Sequence, residues 1–259
     1  MTRDLRALRE LRSTNTRLPR ELPREAVGAM LLAYQEYVNA MFDQLNEDLP
    51  DDLRTDASIG EALQRLLGSL DRFFSDRVSF WLDFSVKSLR GHVDNRLRRI
   101  SPVKLSPGTE VQLIEFREQA AQLIKTVGPS TVAKIKDVLQ GPKGLAVPKV
   151  LAAELQRISG ATKAQAKFWA VDQTLTLNAN ITKARHQEAG IRKYRWVTAD
   201  DERVRGNPSG KWPIGNHWEH NNKIFYYNDP PIVDPRTGAR GNPGEWYYCR
   251  CVADPILED

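Results

Sequence analysis

Two histidines three positions apart, His217 and His220, and two cysteines separated by one residue, Cys249 and Cys251, fall close together near the end of the sequence. Imidazole nitrogen and thiolate sulfur are the donors of tetrahedral zinc sites, so an H-x-x-H pair and a C-x-C pair could together complete one. Structural zinc sites usually space their cysteines by two to four residues, and H-x-x-H brings two imidazoles together only on a helix or a tight turn. The alternative is that both cysteines are small buried hydrophobes on a terminal strand and that the histidines are hydrogen-bonding loop residues. No other cysteine occurs, which excludes a disulfide framework, and a bridge across one intervening residue is geometrically disfavoured. A reducing compartment fits this usage, and zinc is the one cofactor the residues suggest.

A second chemistry is conceivable in the same region. Asp200, Asp201 and Glu202, together with His217 and His220, have the side chains that activate water, and Arg203 and Arg205 beside them could clamp a phosphate, as a nuclease requires. The competing reading is structural: Arg203 and Arg205 pair with carboxylates such as Asp201, and the acidic run caps a turn. No Walker A loop, G-x-G-x-x-G, G-x-S-x-G or H-E-x-x-H occurs, so the best-defined enzyme mechanisms lack their parts.

Positive charge offers a third possibility. Arg3, Arg6, Arg9 and Arg12 recur every third residue and are followed by Arg17, Arg20 and Arg24, so several share one helix face that could lie on DNA phosphates or on an acidic protein. A second basic stretch runs from Arg90 to Lys104. Asp4, Glu10 and Glu21 interleave with the first stretch, and this mixture suits a solvated helix face equally well. Over all 259 residues, 38 Lys and Arg face 33 Asp and Glu, a net charge of +5 that permits nucleic-acid contact without requiring it. No apolar run approaches the roughly 18 residues needed to span a bilayer, and the basic start is not followed by the apolar core of a signal peptide. The expectation is therefore a chain that neither spans a membrane nor is secreted.

Composition shifts near residue 191, which shows what must hold these side chains. From Ile191 onward lie nine of the 13 Trp and Tyr, seven of the 15 Pro, both Cys and two of the four His. Upstream, apolar residues spaced by three and four predict helices over 24–49 and 58–97, the latter single or broken near Gly68 or Gly91. After a break at 100–107 come helices over 110–127 and 130–139, then a loop at 141–148. Further helices follow over 149–158 and 162–190, with Thr162 as a helix N-cap and Gly190 as a C-cap. Beyond Gly190, strands are expected at 194–197 and 223–227, with loops at 206–216 and 237–244, the latter delivering the chain into GluTrpTyrTyrCysArgCysVal at 245–252. The fold class is thus α+β, predominantly helical with a small C-terminal module rich in β-hairpins. No period of 20–50 residues marks a repeat fold.

An ordered set of segments now stands out. It comprises Ala166 to Asn178, the helix around Arg185 ending in GluAlaGlyIle at 188–191, TyrArgTrpVal at 194–197, AspGluArgValArg at 201–205 and His217, then LysIlePhe at 223–225, AspProPro at 229–231, ProGly at 243–244 and CysArgCys at 249–251. In this order they resemble, over about residues 130–256, the C-terminal domain of the phage Mu F-like minor head proteins, also called head morphogenesis proteins. Two features depart from the pattern: an insertion rich in Gly, Asn and Pro (206–216) precedes His217, and Asn222-Lys223 stands where relatives carry Gly-Lys. The resemblance implies a non-enzymatic minor capsid component of a tailed bacteriophage, made in the host cytoplasm and located in the virion at the portal vertex or capsid interior. Portal protein, major capsid protein and packaged DNA are the partners it suggests. It divides the chain into a helical docking region (1–129) and a Mu F-like domain (130–259), within which Asp201, Arg203, Arg205, His217, Cys249 and Cys251 would organise the module. A metal-dependent nuclease or toxin-like RNase carried in the virion, and a DNA-binding assembly factor, are the rival functions.

Overall fold

The computed structural model describes residues 22–48, 56–100, 109–139 and 148–257. Among these residues five helices come first: α1 (Arg24–Asp48), α2 (Asp56–Phe73), α3 (Ser79–Ile100), α4 (Thr109–Leu139) and α5 (Pro148–Glu188). Five short strands follow: β1 (Lys193–Val197), β2 (Ile224–Tyr226), β3 (Ile232–Asp234), β4 (Ala239–Arg240) and β5 (Val252–Ile256). This is the expected α+β arrangement. On α1 the residues spaced by three and four, Ala26, Met30, Ala33, Tyr37, Met41 and Leu45, are all buried.

Three helix boundaries differ from the sequence expectation, each for a local reason. The irregularity between α2 and α3 is a π-helical turn at Phe74–Val78 rather than a break at Gly68 or Gly91. One extra residue in a turn rotates the later side chains by about 100°, and here Phe73, Phe74 and Val78 are all buried. Helix α4 runs without a break through Pro129, where two helices were expected. Pro129 brings no N–H, and in the same turn the Ser130 hydroxyl donates to the Val127 carbonyl at 3.0 Å. Helix α5 likewise passes through the expected turn at 159–162. Thr162 caps nothing; its buried hydroxyl donates back to the Ile158 carbonyl at 2.7 Å, which lets it sit inside a helix.

Contacts divide the chain into two units, each assembled from separate stretches, and α1, α3, α4 and α5 contribute residues to both. In the first, spanning 28–84 and 117–170, Tyr34 meets Trp169 with ring centroids 6.3 Å apart. Helix α4 is tied to the preceding helices by Lys125 on Asp71 at 2.8 Å and by Arg117 on Asp83.

The described part of the second unit comprises residues 22–27, 85–100, 109–116 and 171–257. Arg185 of α5, 2% exposed, forks onto Asp94 of α3 at 2.7 and 2.9 Å and also reaches Glu188 at 2.7 Å. Helix α5 ends in a Schellman cap: Ile191 N–H donates to the His186 carbonyl, Gly190 N–H donates to that of Gln187, and Gly190 takes φ 78°. Gly190 is thus the C-cap that the sequence signals. The chain then enters β1, the centre of an antiparallel sheet ordered β2-β1-β5. Tyr194 and Trp196 of β1 point inward while Arg195 points outward, the period-two pattern of a half-buried strand. Pro255 lies on β5, an edge strand, where its missing N–H breaks no ladder. A separate two-stranded sheet pairs β3 with β4.

The module rests on the end of α5 partly through a buried contact between His186 and Tyr227. The Tyr227 hydroxyl and His186 Nδ1 share a hydrogen bond of 2.6 Å. Burial first, and then the nearby Arg96 cation, push the His186 pKa down to about 4. Between pH 4 and 6.5 the unfolded chain binds a proton that the folded chain refuses, so this contribution is complete above about 6.5 and is lost as the pH falls towards 4. Its size is on the order of 3 kcal/mol. Denaturant melts at pH 7 and pH 4.5 should show a clear loss for the native sequence and a smaller loss for His186→Gln; equal losses would contradict this role.

Candidate metal centre

The cysteines reach their places through an extended segment. Residues i and i+2 of such a backbone share a face, so Cys249 and Cys251 both turn into the core while Arg250 between them takes the other side. They sit in a loop just before β5, not on a terminal strand. The segment is pinned at both flanks. Tyr248, in the left-handed region with φ 50°, donates its N–H to Asp172 of α5 at 2.5 Å, and Arg250 forks onto Asp201 at 2.5 and 2.6 Å. Burial raises the Asp172 pKa, and the Tyr248 N–H works against that rise.

His217 and His220 lie on a tight turn closed by His220 N–H on the Asn216 carbonyl and Asn221 N–H on that of Trp218. The three-residue spacing sets both rings edge-on to Trp196, with centroids 5.3 and 5.2 Å from it. From there they diverge. His217 Nδ1 lies 3.4 Å from Cys249 Sγ and 3.7 Å from Cys251 Sγ. His220 Nε2 instead donates to the Ile232 carbonyl at 2.8 Å. Among the described residues, His217, Cys249 and Cys251 are the one group of three or more His, Cys, Asp or Glu side chains whose donor atoms all lie within 4.8 Å of one another, and all three are buried. His220, the fourth ligand expected from sequence, is not in that group. Hydrogen bonding with Cys251 pulls the Cys249 thiol well below its usual pKa, against the effect of burial and with help from His217; the same contact and burial push Cys251 up.

The acidic run is dispersed. Asp200 is exposed with φ 51°, and Glu202 pairs with Lys211 at 3.2 Å. Asp201 is held by Arg250, accepts the Arg203 N–H at 3.0 Å and stands 3.6 Å from the Arg203 guanidinium. Arg205 does not pair with Asp201; it donates to the Tyr247 carbonyl at 2.6 Å. Arg250, which the sequence reading left out, is the principal partner of Asp201, and its position inside CysArgCys was the available signal. Among the described residues no carboxylate joins the His217 group. Arg3, Arg6, Arg9 and Arg12 lie outside the described residues, and in the second basic stretch Arg90 approaches Asp94 at 3.7 Å.

The 206–216 insertion is built like a hairpin. Gly206 N–H donates to the Trp212 carbonyl and Lys211 N–H to that of Glu202. Gly206 has φ 80°, and a Cβ there would stand 2.0 Å from the Gly215 carbonyl oxygen. Gly206→Ala is therefore expected to destabilise the protein by about 2 kcal/mol or more through clash and backbone strain. A denaturation midpoint within error of the parent would contradict that expectation.

The family profile described as phage Mu protein F like protein matches residues 140–254, a span that contains α5, strands β1 to β4, the start of β5 and the His217–Cys249–Cys251 group. Over these residues the chain is similar to the phage Mu F-like family. An uncharacterized protein of Haemophilus influenzae is 36% identical over 139 residues, covering 53% of this chain and 28% of that protein. The chain thus spans little more than a quarter of the length of that relative. No solved structure matches significantly. Within the Mu F-like region, Asn222 takes φ 64° at the place where relatives were expected to carry glycine. Asparagine tolerates the left-handed conformation better than most residues, so the departure keeps the turn.

Proposed function

We propose that the chain is a non-catalytic minor component of a tailed-phage head, made in the host cytoplasm and incorporated at the portal vertex or capsid interior. The observation that carries this reading is the Mu F-like match across residues 140–254. The state of the polar groups supports it. Asp201 is engaged by Arg250, Glu202 by Lys211, and His220 by a backbone carbonyl, which is how structural residues are used. Among the described residues no helix is long and apolar enough to cross a membrane.

The module also presents surface suited to a partner. Trp212, Ile214 and Tyr247 are more than half exposed. Trp212 and Ile214, with Arg205, Arg236 and Trp246, line a groove of about 310 Å³. Exposed aromatics with arginine are the residue types that anchor protein interfaces. Portal and major capsid proteins are the partners we assign, with packaged DNA as a further neighbour. Co-expression with the portal protein of the same phage, followed by affinity purification, should recover both proteins, and Trp212→Ala should weaken recovery without unfolding the chain. Failure to recover the complex with either the portal or the major capsid protein would overturn the assignment.

A further inference from the structure

We infer that His217, Cys249 and Cys251 form a zinc site that ties the turn after the 206–216 insertion to the loop before β5, with solvent as the fourth ligand. The inference goes beyond the assembly role and stands on geometry alone. For Zn–S of about 2.3 Å and Zn–N of about 2.0 Å, a tetrahedron places sulfur and nitrogen about 3.5 Å apart. The two S···Nδ1 separations of 3.4 and 3.7 Å bracket that edge. Two thiols and one imidazole are soft to borderline donors with no oxygen among them, which favours zinc and disfavours magnesium, calcium and manganese.

Two thiols converge on a single lone pair at His217 Nδ1, so at most one S–H can bond to it, whereas a metal engages all three donors at once. Beside the cysteines lies a cavity of about 20 Å³, room for one water molecule. Asn178 and Asn242 line it, and their buried side-chain oxygens have no hydrogen-bond partner, so a water there would find acceptors for its protons. A water held there, beside both cysteines, would supply the fourth ligand. The sequence separation of the donors gives the site its role: His217 follows the 206–216 insertion, the cysteines precede β5, and one ion would fix both to Trp196 at the centre of the sheet.

The test uses the whole chain, purified under reducing conditions without chelator and weighed by native mass spectrometry. The expected result is one zinc per chain, removed by a strong chelator with a drop in Tm that added zinc reverses. Cobalt(II) added to the stripped protein should give the intense visible bands of tetrahedral cobalt and a thiolate-to-metal charge-transfer band. Cys251→Ser and His217→Ala should lose the metal, while His220→Gln, outside the group, should keep it. Because the ligand variants can also fail to fold, the cobalt spectrum of the native sequence decides. A folded protein that carries no zinc, gives no tetrahedral cobalt spectrum and is indifferent to chelator would overturn the inference. So would retention of zinc after loss of either cysteine. A metal-free result leaves the assembly reading untouched, since that reading is tested by recovery with head proteins.

Discussion

Trp196→Ala is expected to lower the stability of the protein by about 3–5 kcal/mol, the range for removing a large aromatic side chain from a packed core. Trp196 is fully buried on the central strand β1. Three rings meet its faces and edges: His217, His220 and Phe225, at centroid distances of 5.3, 5.2 and 6.2 Å. Its removal deletes the floor on which both histidines rest. Trp212→Ala provides the control, because Trp212 is 60% exposed and its loss should change stability by no more than about 0.5 kcal/mol. Equilibrium denaturation of both variants checks the pair of expectations, and similar midpoints for the two would contradict the assignment of Trp196 as the core of the module.

Arg250→Met is expected to cost about 3 kcal/mol, close to the value for breaking a buried ion pair from one side. The Arg250 side chain is 7% exposed and that of Asp201 14%, and the fork between them has bonds of 2.5 and 2.6 Å. The variant leaves the carboxylate with only the Arg203 N–H at 3.0 Å and a more distant guanidinium. The pH dependence separates this loss from simple loss of packing. Arg250 holds the Asp201 carboxyl below its usual pKa, with help from the Arg203 N–H and against the effect of burial. The contribution of the pair is therefore complete above the unfolded value of about 3.9 and disappears as the pH falls through the depressed folded value. The native chain should lose stability more steeply than Arg250→Met on that acid limb. Parallel acid limbs would mean that the pair contributes packing rather than charge.

Helix content, the change of character near residue 191, the Gly190 cap and strands β1 and β2 were legible because each rests on short-range pattern: periodicity of 3.6 or 2, and one residue suited to positive φ. What failed was punctuation inside helices. Pro129, Gly160 and Thr162 are ordinary breakers by propensity, but the long helices α4 and α5 run through them. The candidate site was legible in residue type and only partly in partner. His217 and His220 share a turn, yet which of them faces the cysteines depends on where β3 passes, since the Ile232 carbonyl claims His220. The pairing of Asp201 with Arg250 spans 49 residues and is set by how the last loop folds back. Local pattern pointed instead to Arg203 and Arg205.

The most direct measurement is quantitative mass spectrometry of heads purified from cells producing the phage that encodes this chain, compared with the soluble fraction of the same lysate. A minor head component should band with the particles in a few copies per head, persist through washing in high salt, and be depleted from the soluble pool. A chain absent from heads and free in the lysate, with purified protein that cleaves DNA or RNA, would contradict the assembly role and return the acidic and histidine residues of the module to a catalytic reading.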